Sequence, residues 1–197
     1  MNRPPRDISP ADFFVDWLPA ELAKTEALGS AERLDPVTVQ VHLTGDDGGT
    51  WALHLDGGKL TVSSGAADNP RVALTQSVAD WRTIVVGDDG PIDLAPPSAA
   101  PTDFLFVDPE AQKLLDQIKG QVTLEVANYN GRTWMLTISF AAANEPAATI
   151  SVEAETYAKI LSGEIAGPQA FMGGQITFGG DTALAMQVGM AMMSRMQ

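Results

Sequence analysis

Apolar and polar residues alternate along Val37-Thr38-Val39-Gln40-Val41-His42-Leu43, which predicts a half-buried strand. Gly45-Asp46-Asp47-Gly48-Gly49 then reads as a hairpin loop, and Trp51, Leu53 and Leu55 share one face of a returning strand. Further strands are expected at Lys59–Ser63 and Arg71–Thr75. Helical spacing is seen in Phe13, Phe14, Trp17, Leu18, Leu22 and Leu28, behind a start signal with Ser9 as N-cap and Pro10 at the first helical position. A helix over Ser77–Val86 opens with Ser77 as cap and Asp80 three residues on. Residues 88–101 carry four prolines and predict a linker or an exposed crossing loop.

The pattern then begins again. A helix start lies at Asp108-Pro109-Glu110, ahead of Leu114, Leu115 and Ile118. Val122–Val126 alternates as Val37–Val41 does, and Thr133–Ile138 matches Thr50–Leu55. Ala148–Gly163 aligns without a gap on Val72–Gly87, which sets Tyr157 on Trp81, Ile160 on Ile84 and Gly163 on Gly87. Several features recurring in one order predict an α+β fold with an internal duplication. The halves are expected at 1–107 and 108–197, with two lobes in contact slightly favoured over one shared sheet. Only the second half continues into a short strand, "QITFG", flanked by Gly173-Gly174 and Gly179-Gly180, and then into a methionine-rich helix that Asp181 can cap.

Composition narrows the function. The net charge is -13 over 197 residues, and 45% of residues are hydrophobic. No basic stripe is available to neutralise phosphates, which argues against nucleic acid and against more than transient contact with anionic membranes. No cysteine is present, so disulfides and thiolate chemistry are excluded. The first residues do not resemble a signal peptide, and no apolar run reaches membrane-helix length, so a cytoplasmic location is expected.

Catalytic signatures are missing. No Gly-x-Ser-x-Gly elbow, P-loop or dinucleotide fingerprint occurs, and Asp46-Asp47-Gly48 and Asp88-Asp89-Gly90 lack the spacing of a calcium loop. His42 and His54 are the only histidines, and alternation places both on the faces opposite Val39, Val41, Leu53 and Leu55. No further ligand accompanies them, so neither a metal nor another cofactor is expected, and no enzymatic activity.

The second half instead gathers large apolar side chains that could line a cavity. Trp134, Leu136, Ile138 and Phe140 share one strand face; Ile176 and Phe178 share another, with Phe171 and Met172 just before them. Leu184, Met186, Met190 and Met193 follow on the terminal helix, three of them methionines at helical spacing. Such residues usually fill a core; methionine also suits a surface that adapts to different ligands. The two glycine pairs read as turns or as hinges of a flap.

This second half resembles the sterol-carrier-protein type 2 family. The likeness rests on Leu161-Ser162-Gly163-Glu164, Pro168-Gln169-Ala170-Phe171, Gly174-Gln175-Ile176-Thr177-Phe178-Gly179-Gly180 and Leu184-Ala185-Met186. It is strong over about 108–197, with a degenerate copy in 9–107. It implies helices on one face of a twisted, mainly antiparallel sheet of about five or more strands. It also implies non-catalytic binding of a sterol, fatty acid, fatty acyl group or phospholipid in a tunnel between the sheet and the C-terminal helix. The family's short third strand is replaced here by Ala141–Pro146, and its basic surface is lacking. An apolar chain of about 16 carbons offers on the order of 10 kcal/mol of burial, so broad specificity is expected. The alternative is a protein-interaction or homodimerisation module built on the methionine-rich helix.

Overall fold

Eight strands form one sheet in the order β3-β2-β1-β4-β6-β5-β7-β8. The computed structural model describes residues 3–24, 35–87, 94, 113 and 116–194, with side chains of the last helix up to Gly189. The helix start at Asp108, most of the proline-rich 88–107 connection, and Leu28, Leu114 and Leu115 lie outside the described residues. β1 (Val37–Thr44) and β2 (Gly49–Asp56) make the first hairpin, β3 (Lys59–Ser64) extends it, and β4 (Val72–Ser77) returns parallel to β1. β5 (Gly120–Tyr129) and β6 (Arg132–Phe140) make the second hairpin, and β7 (Ala147–Glu153) returns parallel to β5. β8 (Ile176–Gly180) closes the second edge, antiparallel to β7.

The pairing β2-β1-β4 is thus repeated as β6-β5-β7. The first set carries its extra strand beside β2, and the second carries its own beside β7. The sides left bare, β4 and β6, pair with each other over Val72↔Phe140 to Thr75↔Thr137. Of the two arrangements left open by the sequence, the chain takes the shared sheet. Ala141–Pro146 forms no strand; Ala141 and Ala142 have positive φ of 53 and 51, a tight turn in its place.

Cross-strand register puts the apolar residues of all eight strands on one face. One row runs Leu53, Val39, Val72 and Phe140; the next runs Trp51, Val41, Leu74, Ile138, Val122 and Ala148. The other face is rich in threonine and serine, as suits a mainly antiparallel, mixed sheet with one solvated side.

The first part of the apolar face is covered by the N-terminal helical segment: α1 (Pro10–Asp12), a π-helical turn (Phe13–Trp17) and α2 (Leu18–Leu22). Ser9 caps it, accepting from the Asp12 amide at 3.1 Å, as the sequence predicts. The sequence predicts a regular helix here, but Pro19 has no amide to donate and its ring crowds the preceding turn. The Leu18 amide bonds back to the Phe13 carbonyl instead, which widens the turn. Phe13, Phe14, Leu18 and Leu22 all point into the core. Phe14 stacks on Trp51 at 4.7 Å, and Phe13 meets the edge of Trp81 at 5.2 Å.

β4 leads into α3 (Val78–Val85) as β7 leads into α4 (Ala154–Leu161), and Gly87 and Gly163 follow with positive φ of 76 and 75. α5 (Gly167–Met172) and, after β8, α6 (Thr182–Ser194) complete the second cover. Asp181 caps α6, its carboxylate accepting from the Leu184 amide at 2.9 Å.

Candidate functional site

Where the two hairpins meet, a polar tie locks α3 to β6. Asp80 is buried, and Ser77 donates to its carboxylate at 2.8 Å. Arg132, at the start of β6, donates to the same carboxylate and, through Nη2, to Thr83 Oγ1 at 3.0 Å. Its guanidinium lies over the Tyr129 ring at 5.7 Å. Trp134 Nε1 donates to the Asp80 carbonyl at 2.9 Å, so the polar end of a fully buried indole is satisfied. The sequence marks Asp80 only as a capping residue; its partner lies 52 residues away, and no local signal points to it.

Next to this tie the apolar face changes character. Leu74, Leu136 and Ile138, from β4 and β6, remain partly exposed although they pack against the core. So do Ile84 on α3, Tyr157 and Ile160 on α4, and Ile176 and Phe178 on β8. Register joins them: Leu136 faces Leu124, Leu124 faces Ile150, and Ile150 faces Phe178. This row runs across β6, β5, β7 and β8, past α4, which leaves the top of β7, and α6, whose Leu184 lies at the Gly120 end of β5. The row therefore joins half-covered Leu136 and Phe178 at its ends through Leu124 and Ile150, which are buried, and with the partly exposed side chains around it forms a strip beneath the second cover. Tyr157 faces the same surroundings, and burial pushes its phenol up to about 12.

The residues singled out from the sequence divide into three groups. Leu136, Ile138, Ile176 and Phe178 lie on the strip. Trp134, Phe140 and Leu184 are buried outright in the same apolar cluster. Phe171, Met172 and Met186 are exposed, Met172 at 81%. Phe171 nevertheless stacks on Phe178 at 4.6 Å, which links the exposed group to the strip. The side chains of Met190 and Met193 lie outside the described residues. Tyr157, Ile160, Leu74 and Ile84 also belong to the strip. Their helical and strand spacing was visible in the sequence, but nothing there distinguished half-covered from buried.

The glycines around β8 are not alike. Gly180 has φ +68, and a Cβ there would stand 2.4 Å from the Ala147 carbonyl oxygen, so a side chain would collide with backbone. A Cβ at Gly179 would make ordinary contact, and one at Gly189 would meet nothing within 4 Å.

The histidines sit on the polar face. His42 Nδ1 pairs with Thr50 Oγ1 at 2.8 Å, and His54 Nδ1 with Thr38 Oγ1 at 2.9 Å. The row Gln40–Ala52 lies between them. Among the described residues no three His, Cys, Asp or Glu gather in a metal-binding group, and no helix is long and apolar enough to cross a membrane.

Residues 102–193 match the SCP-2 sterol transfer family. None of the curated proteins matches the chain. Among solved structures it is similar to the sterol carrier protein domain 2 of Helicoverpa armigera, with 19% identity over 50% of this chain and 93% of that one and a TM-score of 0.34. It is also similar to a conserved hypothetical protein, possibly a sterol carrier protein, from Thermus thermophilus, with 13% identity over 44% of this chain and 66% of that one and a TM-score of 0.31. The likeness to the SCP-2 sterol transfer family thus lies in residues 102–193, the part of the chain that holds β5 to β8 and α4 to α6.

Proposed function

We propose that the protein binds a lipid-like apolar molecule over the strip formed by β6, β5, β7 and β8, and releases it intact. The match of residues 102–193 to the SCP-2 sterol transfer family supports lipid binding or transfer in general terms. The observation that carries the more specific reading is the strip itself: Leu136, Ile138, Ile160 and Phe178 are apolar, face the core side of the sheet, and remain partly exposed. Soluble proteins rarely leave large contiguous apolar areas uncovered unless something binds there. An alkyl chain or sterol ring system completing the cover would contribute about 0.8 kcal/mol per buried methylene. No charged side chain belongs to the strip, so selection is by shape and apolar area, and specificity is broad. The reading is non-catalytic, because the strip offers no nucleophile or acid–base pair; Tyr157 is its only titratable member, and its raised pKa keeps it neutral at ordinary pH.

We also propose that the two strand sets descend from one ancestral unit whose second copy kept the ligand site. The repeated β2-β1-β4 and β6-β5-β7 pairing supports this. Native mass spectrometry of gently purified protein, followed by organic extraction, tests the binding proposal. One lipid-sized adduct per chain, recovered in the organic phase, is expected. A clean apo mass that is also unable to take up a pyrene-labelled alkyl probe would refute it.

A further inference from the structure

Among the described residues, the large apolar side chains left exposed are Val15, Met135, Phe171, Met172 and Met186, and of these only Phe171 and Met172 are adjacent, at the end of α5. From Ile165 to Ser194 the only charged residue is Asp181, and it is engaged as the cap of α6. Elsewhere charge is abundant: the chain as a whole is 19% charged and carries -13. The end of α5 is therefore an apolar tip within an uncharged stretch of chain on a strongly acidic protein.

The backbone of this tip is satisfied from within. The Gly173 amide donates to the Gln169 carbonyl at 2.9 Å, Gly174 to Phe171 at 3.0 Å, and Gln175 to Ala170 at 2.9 Å. A segment whose amides are already bonded can enter an apolar medium without stranding donors. Its area also discriminates between partners. Two exposed side chains of this size present at most a few hundred Å2, against the roughly 800 Å2 per partner of a stable protein interface. Two or three apolar side chains are enough, however, to dip into the headgroup boundary of a bilayer. Charge selects the kind of bilayer. An uncharged tip gains nothing from anionic headgroups, and the acidic remainder of the protein is repelled by them.

We propose that the Phe171–Met172 tip docks on a lipid surface without net charge, of the phosphatidylcholine type. Because Phe171 stacks on Phe178, docking places the end of the strip at that surface, so ligand passes between membrane and sheet across one aromatic pair. That last step rests on the binding proposal above; the docking itself does not.

The test is flotation of the full chain with dioleoylphosphatidylcholine vesicles. Met172→Gln, at a side chain 81% exposed, is expected to weaken partitioning about tenfold. Met135→Gln, at a methionine on the opposite sheet face, is expected to change nothing. Replacing a third of the lipid with phosphatidylglycerol is expected to weaken binding, and about 0.5 M salt to restore it. Docking is overturned by no flotation, by equal losses for the two variants, or by tighter binding to anionic vesicles. It is equally overturned if Met172→Gln instead abolishes a concentration-dependent dimer, which would make a second copy the occupant. Uptake of a pyrene-labelled alkyl probe without vesicles separates the two proposals. Flotation without uptake removes the strip alone, and uptake without flotation removes the docking alone.

Discussion

The two ends of the sheet are built from the same strand motif and covered differently. Over β3, β2 and β1 the N-terminal helix lays Phe13, Phe14, Leu18 and Leu22 onto Trp51 and Trp81, and Val37, Val39, Val41, Leu43, Leu53 and Leu55 are all buried, with Leu60 and Val62 on the edge strand β3 partly exposed. Over β6, β5, β7 and β8 the cover consists of α4, α5 and α6, and Leu136, Ile138, Ile176 and Phe178 remain partly exposed. The sealed end uses bulky rings; the second cover uses glycines, alanines and methionines. Identical strand alternation is thus compatible with a buried face or with a partly covered one, and the choice is made by the covering helices.

The largest expected effects should reveal this asymmetry directly. Phe14→Ala opens a void in the sealed end and is expected to cost about 3–5 kcal/mol in urea unfolding. Phe178→Ala, on a partly exposed ring, is expected to cost only about 1–2 kcal/mol while weakening ligand uptake. Equal costs would mean that both ends are filled cores. Adding volume sharpens the contrast. Val41→Phe is expected to destabilise by about 1–3 kcal/mol through overpacking. Ile138→Phe is expected to leave stability nearly unchanged and to reduce probe uptake severalfold, measured by fluorescence titration.

The join between the ends is the next target. Asp80→Asn keeps the shape but removes the charge facing Arg132 and is expected to cost about 1–3 kcal/mol. That range is below the value for a fully buried pair, because the Arg132 side chain is 39% exposed. A loss close to zero would mean that the hairpins are held by β4–β6 pairing alone.

The smallest effect concerns Tyr157. Burial raises its phenol to about 12, from the 10.0 of a free tyrosine. The folded state therefore holds that proton where the unfolded chain releases it. Stability from this group is intact below pH 10 and falls as pH rises from about 10 to 12. Tyr157→Phe is expected to flatten that alkaline decline; an unchanged decline would place the hydroxyl in water.

Much of this was legible in the sequence. The alternation in Val37–Leu43 and Val122–Val126 and the caps at Ser9, Ser77 and Asp181 rest on local chemistry, and local chemistry is what a sequence displays. The shared sheet was not legible. β4 alternates in the same way whether its neighbour is solvent or β6, so the pairing of Leu74 with Ile138 leaves no mark on either strand. The strip was half legible. Periodicity put Trp134, Leu136, Ile138 and Phe140 on one face, but burial depends on which helix lies above, and only the two outer residues of the four are sealed. Periodicity likewise could not show that Phe171 and Met172, at the end of the six-residue α5, are exposed.

Methyl NMR with a bound doxyl-labelled alkyl chain tests the division between a sealed end and a receptive one most directly. At one probe per molecule, the methyl signals of Leu136, Ile138 and Ile160 are predicted to broaden away while those of Val39, Leu53 and Leu55 stay sharp. Uniform broadening across both ends, or broadening confined to the first, would contradict the account.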